Sequence, residues 1–393
     1  MNVDGKGIRS LMTAGIDRGD SLPLKELRVS GMKYITDEVL AVLGKRAPFL
    51  EVLDLSYVRD LHNSALEAFI SCSDEEDNRF ETVLLTAREA GRDPNDSTKY
   101  RRRVTRLRHI SLSCCTLLTD NACSILAHTV PRLEFLEMAG IGVDLKDDGL
   151  VRLLNTTPFI RKLDLEDASE ITDTVIAAIT PRAPGDAITP GLCIPPEPGH
   201  ALQHLTVSFA VNVSDDAFLA LIQNCPRLSV LEVDNTRISG TVLKEFVRLS
   251  RKRKMVDPVA VVIDCRGIGE SLVKELSDST RPRNGWRSYE ARKLGYVDGR
   301  DNEELKVGRD ECDEKRVVLK SFYSWQMVDA VRAAREKRRK AKRAINASGG
   351  SASDSDDILS GRARWWSNGR RSSGNTSPTT LDTNGDRDQC RIM

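Results

Sequence analysis

With 393 residues, a formal net charge of +1, and 30% charged against 40% apolar side chains, the chain is long enough for one large or two ordinary domains. It carries no one-sided field of the kind that binds nucleic acid or an anionic membrane. Nine cysteines, odd in number and irregularly spaced, a polar start and no apolar run of about 18 residues argue against a secreted disulfide framework and a membrane helix. Free thiols in a reducing compartment, cytoplasmic or nuclear, are expected. Aromatic residues are 5% of the chain, so the core must be aliphatic.

A repeat runs through the first two-thirds. "LKELRVSGMKYITDEVLAVLGKRAP" begins at Leu24 and "LEVLDLSYVRDLHNSALEAFI" at Leu50. "LRHISLSCCTLLTDNACSILAHTVP" follows at Leu107, "LEFLEMAGIGVDLKDDGLVRLLNTTP" at Leu133 and "IRKLDLEDASEITDTVIAAITP" at Ile160. "LQHLTVSFAVNVSDDAFLALIQNCP" begins at Leu202 and "LSVLEVDNTRISGTVLKEFVRL" at Leu228. Start-to-start spacings are 26, 57, 26, 27, 42 and 26, the two long ones being a repeat plus an insertion.

Each unit opens with L-x-x-L-x-L, whose alternation predicts a short strand with one buried face. An apolar residue followed by Thr-Asp or Ser-Asp comes next, as in Ile35-Thr36-Asp37, Leu118-Thr119-Asp120, Ile171-Thr172-Asp173 and Val213-Ser214-Asp215. The hydroxyl suits a helix N-cap, and the aspartate suits the positive end of the dipole. Apolar residues then recur at helical spacing, as in Ala122, Ile125 and Leu126. Pro48, Pro131, Pro158, Pro181 and Pro226 mark the return to the next strand. A strand-plus-helix unit cannot bury its own apolar face, so the units must stack. A weaker eighth strand, "PVAVVIDCRGI", is expected to bury Val261 and Ile263.

The fold expected is α/β: a leucine-rich-repeat solenoid with a curved parallel sheet inside, helices outside and a partly disordered C-terminal tail. The domain plan is a flexible N-terminus over 1–20 and the solenoid over 21–270, with insertions at about 73–105 and 182–199. A C-terminal cap and basic helix over 271–346 and a tail over 347–393 complete it. In the first insertion "FETVLLTA" is expected to add a strand and the rest to be a polar loop, with "SDEEDN" pairing with "KYRRR". The second insertion, rich in Pro and Gly, reads as a loop. "CDEKRVVLK" reads as a strand or short helix. Phe322, Trp325, Val328 and Val331 recur at helical spacing and are expected to dock on the last repeat as a cap. The tail is rich in Ser, Gly, Asn, Thr and Asp, which predicts disorder.

The units resemble the cysteine-containing subclass of leucine-rich repeats, with a pattern near C-x-x-L-x-x-L-x-L-x-x-C-x-x-I-T-D. "CPRLSVLEVDNTRIS" from Cys225 carries the first cysteine, and "LRHISLSCCTLLTD" carries the second at Cys115. That subclass is typical of F-box/leucine-rich-repeat proteins, the substrate receptors of Skp–cullin–F-box ubiquitin ligases, and of related proteins without an F-box. The resemblance covers about residues 20–265. It implies a protein-binding concave surface, no cofactor, and Skp and cullin partners if an F-box lies upstream. The residues before Leu24 are polar and glycine-rich and do not read as an F-box.

Cys114, Cys115 and Cys123, flanked by His109 and His128, are the first candidates for chemistry. Their spacing does not match paired zinc ligands, whereas the repeat phase buries Leu112 and Cys115 and puts Cys123 on the helix. Packing is the expected role, with metal and redox roles as the alternatives. No H-E-x-x-H, phosphate loop or G-x-S-x-G is present, so no catalytic residue, cofactor site or metal site is expected.

The outward strand positions are more informative. They are Glu26, Arg28 and Ser30; Val52, Asp54 and Ser56; His109, Ser111 and Ser113; Phe135, Glu137 and Ala139; Lys162, Asp164 and Glu166; His204, Thr206 and Ser208; and Val230, Glu232 and Asp234. Carboxylates outnumber Lys and Arg there by seven to two. A negative stripe with Phe135 as apolar anchor is therefore expected to bind a protein partner that carries a basic segment. The candidate contact residues are Asp54, His109, Phe135, Glu137, Asp164, Glu166, His204, Glu232 and Asp234. In the tail, Lys337, Arg338, Arg339, Lys340, Lys342 and Arg343 resemble a nuclear localisation signal. Cys390, four residues from the end before Arg391-Ile392-Met393, fits the prenylation form, and only its lipidation would bring the chain to a membrane.

Overall fold

In the computed structural model, residues 21–72, 80–182, 197–281 and 314–321 are described, with single positions at 7, 10, 339 and 340. Each L-x-L becomes a strand of three residues: β1 (Glu26–Arg28), β2 (Val52–Asp54), β5 (His109–Ser111), β6 (Phe135–Glu137), β7 (Lys162–Asp164), β8 (His204–Thr206), β9 (Val230–Glu232) and β10 (Val259–Val261). They pair in parallel in chain order, one repeat beside the next. The register is unslipped, so Leu53, Ile110, Leu136, Leu163, Leu205 and Leu231 form one inward row. All six are at most 2% exposed. A one-residue slip would turn the whole row to solvent, and this locks the register. Each buried leucine contributes roughly 1.5–3 kcal/mol.

The turn after each strand has a shared backbone solution. The third residue past each of these eight strands is left-handed: Gly31, Tyr57, Cys114, Gly140, Asp167, Phe209, Asn235 and Asp264, with φ from +54° to +70°. Six of the eight carry side chains and bear the cost of that conformation. Their N–H groups are the reason they can. Tyr57 donates to the carbonyl of Ser113 at 2.8 Å, Cys114 to Ala139 at 2.7 Å, Phe209 to Asp234 at 2.8 Å and Asn235 to Ile263 at 2.8 Å. The bend thus carries the parallel ladder past the strand ends.

The helices are α1 (Asp37–Arg46), α2 (Asn63–Ile70), α3 (Asp120–Leu126), α4 (Asp147–Asn155), α5 (Asp173–Ala178), α6 (Asp215–Asn224), α7 (Gly240–Lys252) and α8 (Glu270–Glu275). Thr36, Thr119, Thr172, Ser214 and Ser239 are N-caps whose side chains accept a backbone N–H of the first turn. An aspartate at the first helical position does more than meet the dipole, whether or not a hydroxyl precedes it. Asp147 accepts from both the N–H (2.9 Å) and the hydroxyl (2.5 Å) of Thr172, the cap of the next repeat. Asp173 does the same for Ser214 at 2.6 and 2.7 Å, and Asp215 accepts the N–H of Ser239 at 2.9 Å. Asn63 exchanges two bonds with Thr119. The Thr-Asp motif is therefore a ladder that ties helix starts together. Neighbouring helices also approach closely: a Cβ on Gly149 would lie 2.1 Å from the carbonyl oxygen of Asp120.

Two stretches depart from the expected plan. The first insertion is not a strand followed by loop: β3 (Thr82–Leu85) and β4 (Tyr100–Arg103) form an antiparallel pair. Arg102 and Arg103 of "KYRRR" are each 2% exposed. Arg102 donates to the carbonyls of Ser124, Ile125 and Ala90 at 3.0–3.2 Å. Arg103 donates to Phe69 and Ser71 at 3.0 and 3.1 Å. All but Ala90, which lies in the insertion itself, are at the C-terminal ends of α2 and α3, where carbonyls lack helical partners. The expected partner run, "SDEEDN", lies outside the described residues. In β10 Ala260 and Val261 are buried, as is Val262 just past it, so Val261 is buried as expected while Ile263 is half-exposed. The register pairs Ala260 with Leu231 in the inward row and Val261 with Glu232, so Val261 is buried although it stands at an outward position.

The sheet continues past residue 270. β12 (Val317–Lys320) pairs with β10 and with β11 (Thr280–Arg281), giving ten strands in all. The buried Arg281 side chain forms an ion pair with Asp257. Residues 322–331, expected to cap the end, lie outside the described residues, as do 183–196 of the second insertion. The chain divides into units 1–329 and 330–393. In the second, Arg339 and Lys340 are described as helical and exposed.

Candidate functional site

The outward positions form three rows along the sheet, with neighbours about 4.8 Å apart. The first row, in register, is Glu26, Val52, His109, Phe135, Lys162, His204, Val230 and Val259. The second is Arg28, Asp54, Ser111, Glu137, Asp164, Thr206, Glu232, Val261 and Lys320. Two residues beyond the second row stand Glu166 and Asp234. All nine candidate contact residues thus lie on one face, and none is fully buried.

The rows differ in charge. Lys162 Nζ lies 2.7 Å from Glu137 Oε1, and His109 Nε2 lies 3.6 Å from Glu137 Oε2. His109 and Lys162 together hold the Glu137 carboxyl down to about 2. His204 stands 3.5 Å from Glu232 and lowers it likewise. The first row therefore sets Lys162 and two histidines against two acids of the second. Asp164, Glu166 and Asp234 have no Lys or Arg within 4 Å among the described residues. Burial raises Asp164 and Glu166, and nearby carboxylates add to the rise. Asp234 is pushed up to about 6 by burial, then by Glu232, Glu166 and Asp264, against a 2.7 Å bond from the Ile263 N–H. The carboxylates without a Lys or Arg within 4 Å thus lie toward the turn side of the face, at Asp164, Glu166 and Asp234.

Phe135 is 37% exposed, with its ring centroid 5.7 Å from that of His109. Sequence reasoning missed two further apolar residues. Tyr57 and Phe209, at the left-handed turn position, are 57% and 39% exposed and flank the acidic rows. Their common offset from the strand start was the available signal. Lys320 was missed because β12 lies far along the chain from its neighbour β10.

Two groupings look catalytic at first sight. Thr206 Oγ1 lies 3.2 Å from His204 Nε2, and Ser111 adjoins His109. In the first, the same ring nitrogen faces both the hydroxyl and Glu232. A relay needs the acid and the nucleophile on opposite ring nitrogens, so the arrangement is not a Ser/Thr–His–acid relay.

The cysteines pack. Cys115 and Cys265 occupy the same place in their repeats and point their thiols at the carbonyls of Leu55 (3.1 Å) and Val233 (3.0 Å) of the preceding repeat. Burial pushes both to about 11 and Cys225 to about 12, and it raises Cys123 as well. Such thiols carry little thiolate at neutral pH. Cys114, expected in a small buried gap, is instead half-exposed at its turn. No group of three or more potential metal ligands occurs among the described residues, and no described helix is long and apolar enough to cross a membrane. Of the tail candidates, Lys337, Arg338, Lys342, Arg343 and Cys390 lie outside the described residues.

No family model matches the chain, and no curated protein matches it in sequence. Among solved structures 63 chains match. One comes from the crystal structure of a Rad7 and Elc1 complex in yeast. It is 14% identical, covers 68% of this chain and 69% of that one, and has a TM-score of 0.37. This chain is thus similar to that one in outline only, and its assignment as a repeat solenoid rests on its own register and core.

Proposed function

We propose that the chain is a protein-interaction scaffold whose concave face recognises a basic segment of a partner protein, with no reaction of its own. The observation that supports this is the cluster of Asp164, Glu166 and Asp234, three carboxylates on one face without a cation beside them. Such a field favours encounter with the opposite sign. Phe135, Tyr57 and Phe209 add exposed apolar area at its borders. The resemblance of the repeats to the F-box/leucine-rich-repeat class supports a finer reading: substrate recognition for a Skp–cullin–F-box ligase, with an F-box upstream of Met1. The test is affinity purification with the wild-type chain and with Asp164, Glu166 and Asp234 all changed to Lys. A partner retained by the first and lost by the second, and bound through a Lys- or Arg-rich segment, is the expected result. Partners retained equally by both would overturn the concave-face assignment. Skp and cullin among them would decide for the ligase.

A second reading, a scaffold outside ubiquitination, is favoured by the basic run from Lys337 to Arg343, of which Arg339 and Lys340 are exposed. It would place the chain in the nucleus, or at a membrane if Cys390 is prenylated. Mass spectrometry of the native C-terminus and localisation of a chain lacking the basic run test the two branches.

A further inference from the structure

The edge of the solenoid where strands begin and helices end bears a charge opposite to that of the concave acidic rows. A cleft of about 410 Å3 lies there, between the ends of α1 and α2, the start and end of the insertion hairpin, and the segments leading into β5, β6 and β7. Its volume falls within the roughly 300–1,000 Å3 of ligand sites. Leu50, Phe69 and Phe80 supply apolar wall, and Phe159, 45% exposed, stands at the rim. The charged lining residues are Arg103, Arg106 and Arg132 against Glu81 alone.

The arginines divide into builders and free cations. Arg103 is committed to the wall: it takes up the carbonyls of Phe69 and Ser71 and lies 4.5 Å over the Phe80 ring. In doing so it cancels the negative end of α2, which would otherwise repel an anion. Arg106 stacks 5.2 Å over Phe49, which fixes its plane and leaves its N–H edge open. Arg106 and Arg132 are both exposed, and neither has a carboxylate within 4 Å among the described residues. The cations continue along the edge through Arg108 and Arg161, which share Glu134 at 3.6 and 3.1 Å.

We infer that this cleft docks an acidic protein segment, with carboxylates on Arg106 and Arg132 and one apolar side chain against Phe69, Phe80 and Phe159. Two exposed arginines on an open cleft, with Arg108 and Arg161 sharing one carboxylate beyond it, suit carboxylates spaced along a chain better than a single enclosed anion. The site is independent of the concave face, so one can fail without the other.

The probe is a short fluorescent peptide of glutamates and aspartates around a single phenylalanine, titrated by anisotropy into the full chain. Saturable binding is expected, weakened about tenfold or more by Arg106→Glu with Arg132→Glu, since each lost charge-assisted contact is worth about that much. Both residues are exposed, so the double variant should fold. It should also retain any partner of the concave face, while the Asp164, Glu166 and Asp234 reversals should leave the peptide bound. A version with alanine for phenylalanine should bind more weakly. No saturable binding, or binding unchanged in the double variant, would overturn the proposal. Inorganic pyrophosphate competing at equal concentration would also overturn it, by making the cleft a small-anion site.

Discussion

The two ends of the helices in this solenoid are held by different means. At the helix starts, five of the eight helices carry a Thr or Ser cap, and a first-turn aspartate reaches the cap of the next repeat, as Asp147 does for Thr172. At the ends of α2 and α3, Arg102 and Arg103 arrive from a strand of the insertion and take up four backbone carbonyl contacts between them, Arg102 adding a fifth to Ala90 of the insertion. The first device is periodic and spreads its load over many small bonds. The second is a single clip, and it buries two guanidinium groups to do its work. Burial pulls Arg102 below the usual guanidinium value, a cost that the carbonyls offset only while all of them are in place. The comparison teaches that a repeat array stabilises itself by repetition, whereas an insertion must dock on something the repeats leave unsatisfied.

The sharpest way to break that contrast is to remove the clip. Arg102→Met should destabilise the chain by about 2–4 kcal/mol, because three buried carbonyls lose their donor at once. Denaturant unfolding measures it, and a loss below about 1 kcal/mol would show that the hairpin merely rests on the repeats. Asp147→Ala tests the ladder. It should cost about 1–2 kcal/mol, more than the 0.3–1 kcal/mol of a dipole contact alone. If Asp147→Asn costs as much as the alanine variant, charge and not bonding to Thr172 is what matters.

The smallest effect separates the acid pairs of the concave face. Asp234 has a folded value near 6, above the ordinary carboxylate value of 3.8. The folded chain therefore binds the extra proton between those values, and stability rises as pH falls through about 6 toward 4. Glu137 runs the other way: held at about 2, it contributes stability above 4.5 that is lost as pH falls through the folded value. Asp234→Asn should raise the melting temperature slightly at about pH 7.5 and leave it unchanged at about pH 4. A lower melting temperature at the higher pH would mean that the bond from the Ile263 N–H outweighs burial. Binding of a basic partner should weaken as Asp234 takes up its proton, and that pH dependence should shrink in the asparagine variant, leaving the part due to Asp164 and Glu166.

The repeat body was largely legible because its information is local. L-x-L alternation, the Thr-Asp cap and the helical spacing of Ala122, Ile125 and Leu126 each depend on residues within a few positions, and the structure carries all of them. The concave candidates were legible for the same reason: outward phase follows from strand phase. Their electrostatics were not. Glu232 and Asp234 read alike in sequence, yet His204 lowers one while burial raises the other. The insertion was misread because "KYRRR" has the composition of a solvated loop, and nothing near it in the chain announces the orphan carbonyls of Ser124 and Phe69.

By itself, then, the sequence determined that strands and helices would alternate, which face of each would be buried, and that Cys115 and Cys123 would pack in the core. These follow from short-range sterics and from hydrophobic burial, which a periodic chain satisfies in one way. The tertiary structure decided what depends on groups distant in sequence meeting in low dielectric. That includes the capping of α2 and α3 by Arg102 and Arg103, the place of β12 beside β10, the sorting of the concave carboxylates into paired and unpaired, and the cleft at Arg106 and Arg132. Each is a balance of desolvation against a partner, and the partner is known only once the repeats are stacked.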